Sequence, residues 1–325
     1  MRRVMQFGVV GCGFAAFALA AGATAQAQPY PHKPVRVIVG FAAGAGPDIL
    51  ARTVAAQLGT DLGQSFYVEN RPGANGTIGA KVAAQSEPDG YTLLHSSAAI
   101  SSTPFIYKNI GLDVLTDLTP VATYGVLDGY FMLVHPSFPA RTVREFIDYA
   151  KQNRVLYGSP GVGNLLHLAA ELFNVKAGLT MEHIPYKGAG EVMTALLNRS
   201  IDVMFVTPPS SAGLVREGKV RALATTGTKP FTDFPDLPLL TATVPDYPPS
   251  VSWSMTFAPA KTPAPIVDKL NAAIQHALTV PAVADIVQKA GYCPDGRNAA
   301  QTAAFFRQQV EESGEAIRTA KIQPN

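Results

Sequence analysis

The stretch VRVIVGFAAGAGPDILAR, Val35 to Arg52, joins a β-branched apolar run to a glycine-rich turn and then to a helix opening at Pro47-Asp48. Ile49, Leu50, Val54 and Leu58 continue that helix at the spacing of one apolar face. Proline suits the first helical turn, where a backbone N–H would have no partner inside the helix. A strand, a glycine turn and a helix start in this order aim backbone N–H groups at an anion. A dinucleotide needs G-x-G-x-x-G/A, but Gly44-Ala45-Gly46 is followed by Ile49 where a small residue belongs. A P-loop needs a closing Gly-Lys-Ser/Thr, and the turn has no lysine. What remains is a smaller anion, or a plain βα turn whose glycines only relieve crowding. Asp48 has two readings as well: it ties down the loop amides and the helix start, or it faces a ligand's own donor.

The same grammar recurs along the chain. VLYGSPGVGNLLHLAAELFNV is again strand, glycine turn and helix, and Gly161-Val162-Gly163 fails the dinucleotide test because Leu166 stands at its sixth position. TLLHSS, IDVMFVTPPSS and KVRALATTG read as further strands, with helices over TVREFIDYAKQN, GEVMTALLNRS, PAPIVDKLNAAIQHAL and the C-terminal run. Thr142 is a candidate N-cap with Glu145 at the capping-box position. This alternation predicts an α/β fold with mostly parallel sheets. Several strands end in Gly, Ser or Thr rather than in acids, lysines or histidines. Ligands of open α/β sheets settle just outside such strand ends. A pocket of N–H groups and hydroxyls holds an anion by hydrogen bonds and offers little for breaking bonds. ENRPGANGTIGA, Glu69 to Ala80, is dense in turn formers and has two readings, another binding loop or a structural loop anchoring the helix after it; the second is preferred because no strand end aims it at a pocket.

With 325 residues the chain has room for two domains. Residues 1–27 have the layout of a cleaved signal peptide: Arg2 and Arg3, an apolar stretch from Phe7 to Ala21, and an A-x-A pattern at Ala25 and Ala27. The G-x-G-x-x-A in VVGCGFAA falls inside it and is set aside, as is Cys12. Of the 26 basic residues, 24 remain without Arg2 and Arg3, against 24 acidic ones, so the charge balance gives no footprint for nucleic acid or anionic lipid. Cys293 is then a lone thiol, which excludes an intrachain disulfide and suits a bacterial periplasm.

Catalytic patterns are sparse. There is no G-x-S-x-G; Ser159 and His167 lie near one another in sequence, without an acid placed to orient the imidazole. The 6 histidines show no zinc spacing, so no metal and no cofactor is expected.

Eight stretches in order resemble the tripartite tricarboxylate transporter substrate-binding proteins, the Bug family: YPHKPVRVIVGFAAGAGPDILAR, VENRPGANGTIGA, PDGYTLL, LTPVA, YGSPGVGNLLHLAAELF, HIPYKGAGEVMTALLNRSIDVMF, GKVRALATTG and FAPAKTPAPIVDKLNAAI. The resemblance implies a two-lobed, type II periplasmic-binding-protein fold whose chain crosses between lobes twice, near Val121–Phe131 and Val220–Thr226. It places residues 29–125 with 229–325 in lobe I and 126–228 in lobe II. It implies a non-enzymatic, monomeric periplasmic receptor that captures a small organic carboxylate and delivers it to a permease of one large and one small membrane subunit. The implied ligand contacts are Phe41, Ala42, Gly44, Ala45 and Asp48 in the first loop, with Ser96, Ser97 and Ala98 beside it. From the second lobe come Ser159, Gly163, Asn164 and His167, then Tyr186, Lys187, Thr207 and Pro208, with Asp202 on the matching strand motif. Two rivals stand beside this reading: an exported hydrolase using Ser159 or Ser97 with His167, and a sensor subunit docking on a receptor kinase.

The chain departs from the family pattern twice. P-F-P-A-G-G-x-[TS]-D becomes GFAAGAGPD, with Gly40 and Ala42 for prolines and Ala45 for a glycine. G-T-P-S-H becomes GNLLH, with Leu165 and Leu166 for a proline and a small hydroxyl residue. If Leu166 faces the cleft, the ligand has an apolar or aromatic body carrying one or two carboxylates.

Overall fold

The computed structural model describes residues 29–323, so the signal-peptide expectation lies outside the described residues. The alternation seen in the sequence builds two five-stranded sheets. The first contains β1 (Val35–Val39), β2 (Phe66–Asn70), β3 (Thr92–Ser97), β4 (Leu118–Asp128) and β10 (Val251–Pro259), in the order β2-β1-β3-β10-β4. The second contains β5 (Phe131–Val134), β6 (Leu156–Ser159), β7 (Glu182–Pro185), β8 (Val203–Val206) and β9 (Arg221–Thr225), in the order β7-β6-β8-β5-β9. In each sheet three strands are parallel, and antiparallel partners complete the far side. The α/β, two-lobed architecture expected from the sequence is present.

Helices cover both faces because the buried strands are apolar on both. On the first sheet, α1 (Gly46–Leu62) and α8 (Ala264–Ala277) bury Leu50, Val54, Leu58, Leu270 and Ile274 against Val35, Val37 and Leu93. Each such side chain contributes about 2 kcal/mol on full burial. The opposite face is closed by α2 (Thr77–Ala84) and α10 (Ala299–Thr319), whose Phe306 and Val310 meet Trp253 and Phe257. On the second sheet, α4 (Val143–Ala150) and α5 (Leu165–Lys176) cover one face, and α6 (Ala189–Leu197) covers the other. The Thr142 cap forms as expected, its Oγ1 accepting the Glu145 N–H at 3.2 Å.

The chain passes between sheets twice. The long strand expected near Val121–Phe131 is two strands, since β4 ends at Asp128 and β5 begins at Phe131. After β9 the next strand, β10, rejoins the first sheet at Val251. Residues between keep to the second sheet because Phe231 and Phe234 pack edge-on against Phe131, at 5.5 and 5.3 Å between ring centres. Leu240, Val244 and Tyr247 then join the core on its other face. The first crossing is tied to the end of β9, and Ser250 N–H, beside the return, donates to the Thr226 carbonyl at 2.9 Å. The Asp128 carboxylate accepts the Thr228 N–H at 2.9 Å and its hydroxyl at 2.7 Å, and Thr226 N–H donates to the Tyr130 carbonyl at 2.9 Å.

Candidate functional site

β3 and β4 are both antiparallel to β10, so their carboxyl ends lie at one edge of the first sheet. In the second sheet Phe131, the first residue of β5, pairs with Val206, the last of β8, so β5 starts where β6 and β8 end. The link from Asp128 to Phe131 therefore turns the carboxyl edges of the two sheets toward each other. The crossings sit at the β4 and β5 side, while the glycine turns follow β1 and β6. β1 lies three strand spacings from β4, on the order of 14 Å. The crossings therefore lie at one side of the facing edges and the glycine turns at the other.

The first turn is held from below. Asp48 is 2% exposed, and its carboxylate accepts Gly44 N–H at 2.8 Å, Arg52 Nε at 3.0 Å and Asn70 Nδ2 at 2.8 Å. Burial pushes the Asp48 carboxyl upward, but the Arg52, Gly44 and Asn70 hydrogen bonds outweigh it and the net shift is downward. Its acceptor positions are thus spent on the turn, which favours the tethering reading over a ligand contact. Asn70 Nδ2 also donates to the Phe41 carbonyl at 3.0 Å. The half-buried Phe41 ring lies over Gly76, and a Cβ at Gly40 would stand 2.5 Å from the Gly76 backbone. The 69–80 loop is thereby a structural support for this turn. Ala42 and Gly44 are exposed and Ala45 half-exposed. Among the described residues, the N–H groups of Gly46 and Asp48 in the first turn of α1 have no acceptor.

Beside it, Ser97 is half-exposed at the end of β3, whereas Ser96 and Ala98 are buried. Ser96 Oγ finds no partner among the described residues. His95 is fully buried with Nε2 at 2.9 Å from Ser254 Oγ, and burial lowers its pKa to about 3.

The second turn has its own supports. Ser159 Oγ lies 2.7 Å from His183 Nε2 and 3.2 Å from the Gly161 carbonyl. Gly163 N–H donates to His167 Nδ1 at 3.3 Å, and the His167 and His183 imidazoles lie 4.1 Å apart, tilted by 38°. Burial, then the facing His183, lowers the His167 pKa to about 3, and burial lowers that of His183 to about 4. Tyr157 OH donates to the Glu171 carboxylate. Asn164 caps α5, its Oδ1 accepting Leu166 N–H at 3.0 Å. Leu165 and His167 keep N–H groups without an acceptor among the described residues. Ser159 thus pairs with His183 rather than His167, and His183 has no carboxylate partner among the described residues. A nucleophile–imidazole–carboxylate chain is not assembled, and no group of acids, histidines and cysteines that could hold a metal occurs among the described residues.

The remaining expected residues divide. Tyr186 is half-buried with its ring at Gly158, and Thr207 Oγ1 lies 2.7 Å from Ser210 Oγ, both at the carboxyl edge. Lys187 is exposed and Pro208 buried. Asp202 lies at the opposite end of β8, where its carboxylate accepts Leu156 N–H at 2.8 Å. Leu166 is 8% exposed within the core of the second sheet, so the condition under which it would face the cleft is not met. Leu165 lines a cavity of about 740 Å³ among α5, α10, residues 246–251 and the crossing residues Val126, Tyr130 and Thr228. Exposed apolar side chains close to the turns in sequence are Ile49 in the first turn of α1, Ile78 in that of α2 and Val162 in the second glycine turn, at 48%, 51% and 41% exposure.

The two facing edges touch in more than one place: Pro209 packs against Gly291, and α3 (Thr103–Ile106) meets the second turn. Ile106, at the end of α3, packs on Gly163, and Ser102 Oγ donates to the Gly163 carbonyl at 3.4 Å. Sequence reasoning missed His183, Asn70 and Ile106. Asn70 alone left a signal, as the polar end of a strand beside a turn-rich loop; the other two act only through distant neighbours.

Fold and site define a two-halved α/β binding protein whose amides and hydroxyls lie on facing sheet edges. A profile described as "Tripartite tricarboxylate transporter family receptor" matches residues 50–322. The chain is 36% identical over 308 residues to a UPF0065 protein of Cupriavidus necator, covering 93% of this chain and 92% of that one. It is 31% identical over 316 residues to BugT of Bordetella pertussis, covering 95% of each. Among solved structures, the periplasmic binding protein BugD superposes with a TM-score of 0.78 at 31% identity, covering 91% of this chain and all of that one (100%). Rpa4515 of R. palustris, solved with adipate, gives 0.81 at 31% identity over 91% and 100% of the two chains. The chain belongs to the tripartite tricarboxylate transporter receptor family, the Bug proteins, which are periplasmic solute-binding receptors and not enzymes.

Proposed function

We propose that this receptor captures a small organic carboxylate between its two halves and hands it, unchanged, to the large and small membrane subunits of a tripartite transporter. The observation that carries the reading is the pair of helix starts on facing sheet edges: Gly46 and Asp48 of α1, Leu165 and His167 of α5, each with unused N–H groups. Such amides carry partial positive charge and replace the water of a carboxylate without a counter-cation. Relatives solved with adipate and with malate support the ligand class.

The moving bodies are residues 29–128 with 251–323 and residues 131–250, hinged at the two crossings. Phe41, Ser97, Tyr186 and Thr207 line the mouth between them; Asp48, Ser159, Gly163, Asn164 and His167 shape it through their own hydrogen bonds. Ile49, Ile78 and Val162 give the mouth apolar surface, which supports a ligand with an apolar body in place of the argument from Leu165 and Leu166.

The test is a thermal-shift screen over mono-, di- and tricarboxylates, followed by calorimetry on the hits. At a hundredfold excess over Kd a bound ligand adds about 2.7 kcal/mol, a rise of roughly 5 °C or more in Tm. The ligand should be recovered intact after long incubation. Failure of every carboxylate to stabilise the chain, or conversion of a bound ester to product, would overturn the proposal.

A further inference from the structure

We propose that Ile106 is the spacer that sets how closely the two amide-bearing turns approach, and thereby selects the length of the ligand; this rests on the carboxylate reading above. Ile106 closes the short helix that continues the turn after β3, and it is fully buried. Its side chain sits on the bare α-carbon of Gly163. A Cβ there would lie 2.8 Å from Cγ2, 3.0 Å from Cγ1 and 3.1 Å from Cδ1 of Ile106. Gly163 is held in place on its other sides, with its N–H on His167 Nδ1 at 3.3 Å and its carbonyl under Ser102 Oγ at 3.4 Å. A contact packed to this density transmits a change of side-chain size as a displacement of the backbone.

The displaced segments carry the ligand-facing groups. Ser97 heads the turn that runs into α3, and the free amides of Leu165 and His167 follow directly after Gly163. A shorter side chain at 106 lets the turns come nearer, and a longer one holds them apart. Anions gripped at both ends are then sorted by the number of methylenes between their carboxylates.

Ile106→Val and Ile106→Met, titrated by calorimetry with unbranched α,ω-dicarboxylates from malonate to suberate, test this directly. The best-bound length moves shorter in Ile106→Val and longer in Ile106→Met, with the preference between neighbouring lengths changing by about threefold or more. A uniform loss across the series would mean that Ile106 serves only the core, and the spacer would be refuted. A second arm needs no ligand: small-angle scattering of Gly163→Ala, alone and combined with Ile106→Ala. The φ of +76° strains alanine equally in both, so their difference reports the contact. The single variant should be more expanded than the parent, and the double variant should return to it. Identical radii of gyration in the parent and Gly163→Ala would refute the spacer. Absence of any dicarboxylate binding to the parent would instead refute the carboxylate reading, and scattering would then decide the spacer alone.

Discussion

Acidification should destabilise this protein well above the pH at which its carboxylates titrate. His95 and His167 are 0% and 5% exposed, and both are held neutral in the folded state down to about pH 3, chiefly by burial. In the unfolded chain an imidazole protonates near 6.5. Between those values the unfolded state binds more protons than the folded one, so stability falls as pH falls. From pH 7 to pH 5 each histidine costs about 2 kcal/mol, or about 4 kcal/mol for the pair. The Asp48 carboxyl does not blur this window: its folded pKa is lowered, so its contribution is present above its unfolded value of 3.8 and lost only on further acidification. Half-exposed His183 acts in the same direction. Urea unfolding of the ligand-free chain at pH 7 and pH 5 is the assay, with a lower midpoint and unchanged m at pH 5. His167→Gln should remove roughly between a third and a half of the loss, since glutamine has no proton to gain and His95 and His183 still contribute. Equal stability at the two pH values, or the same loss in His167→Gln as in the parent, would refute the reasoning.

Asp48→Ala should cost about 3 kcal/mol of stability, because it strands the Asn70 amide, the Gly44 N–H and the Arg52 guanidinium at once; urea unfolding measures it, and ligand affinity should fall as the turn loosens. Leu166→Ala should cost roughly 2–5 kcal/mol while leaving the rank order of bound carboxylates unchanged, since its side chain fills the core. A reordered ligand panel in that variant would return Leu166 to the cleft.

The two glycine turns of the candidate site were legible in the sequence because strand, glycine turn and helix are local events. Val35–Val39, Gly44 and Pro47 settle their conformations among near neighbours, and so do Ser159 and the Gly161–Gly163 turn. The alternation of these units fixed the α/β class, and eight ordered motifs fixed the family. What each polar side chain does was not legible. Asp48 could have faced a ligand, and Ser159 could have served His167; folding brings Asn70 to the first and His183 to the second. Leu166 occupies a position that looks like part of a binding motif, yet its helix turns it into the core.

The order of strands, helices and turns, and the helix-start amides left without partners at the glycine turns, were therefore determined by sequence alone, because backbone conformation answers to residues a few positions away. The tertiary structure decided where the chain returns to its first sheet, which carboxylate and imidazoles support the turns, and that Ile106 meets Gly163. Those outcomes depend on aromatic packing and hydrogen bonds between segments far apart in the chain, and a linear pattern carries no record of such distances.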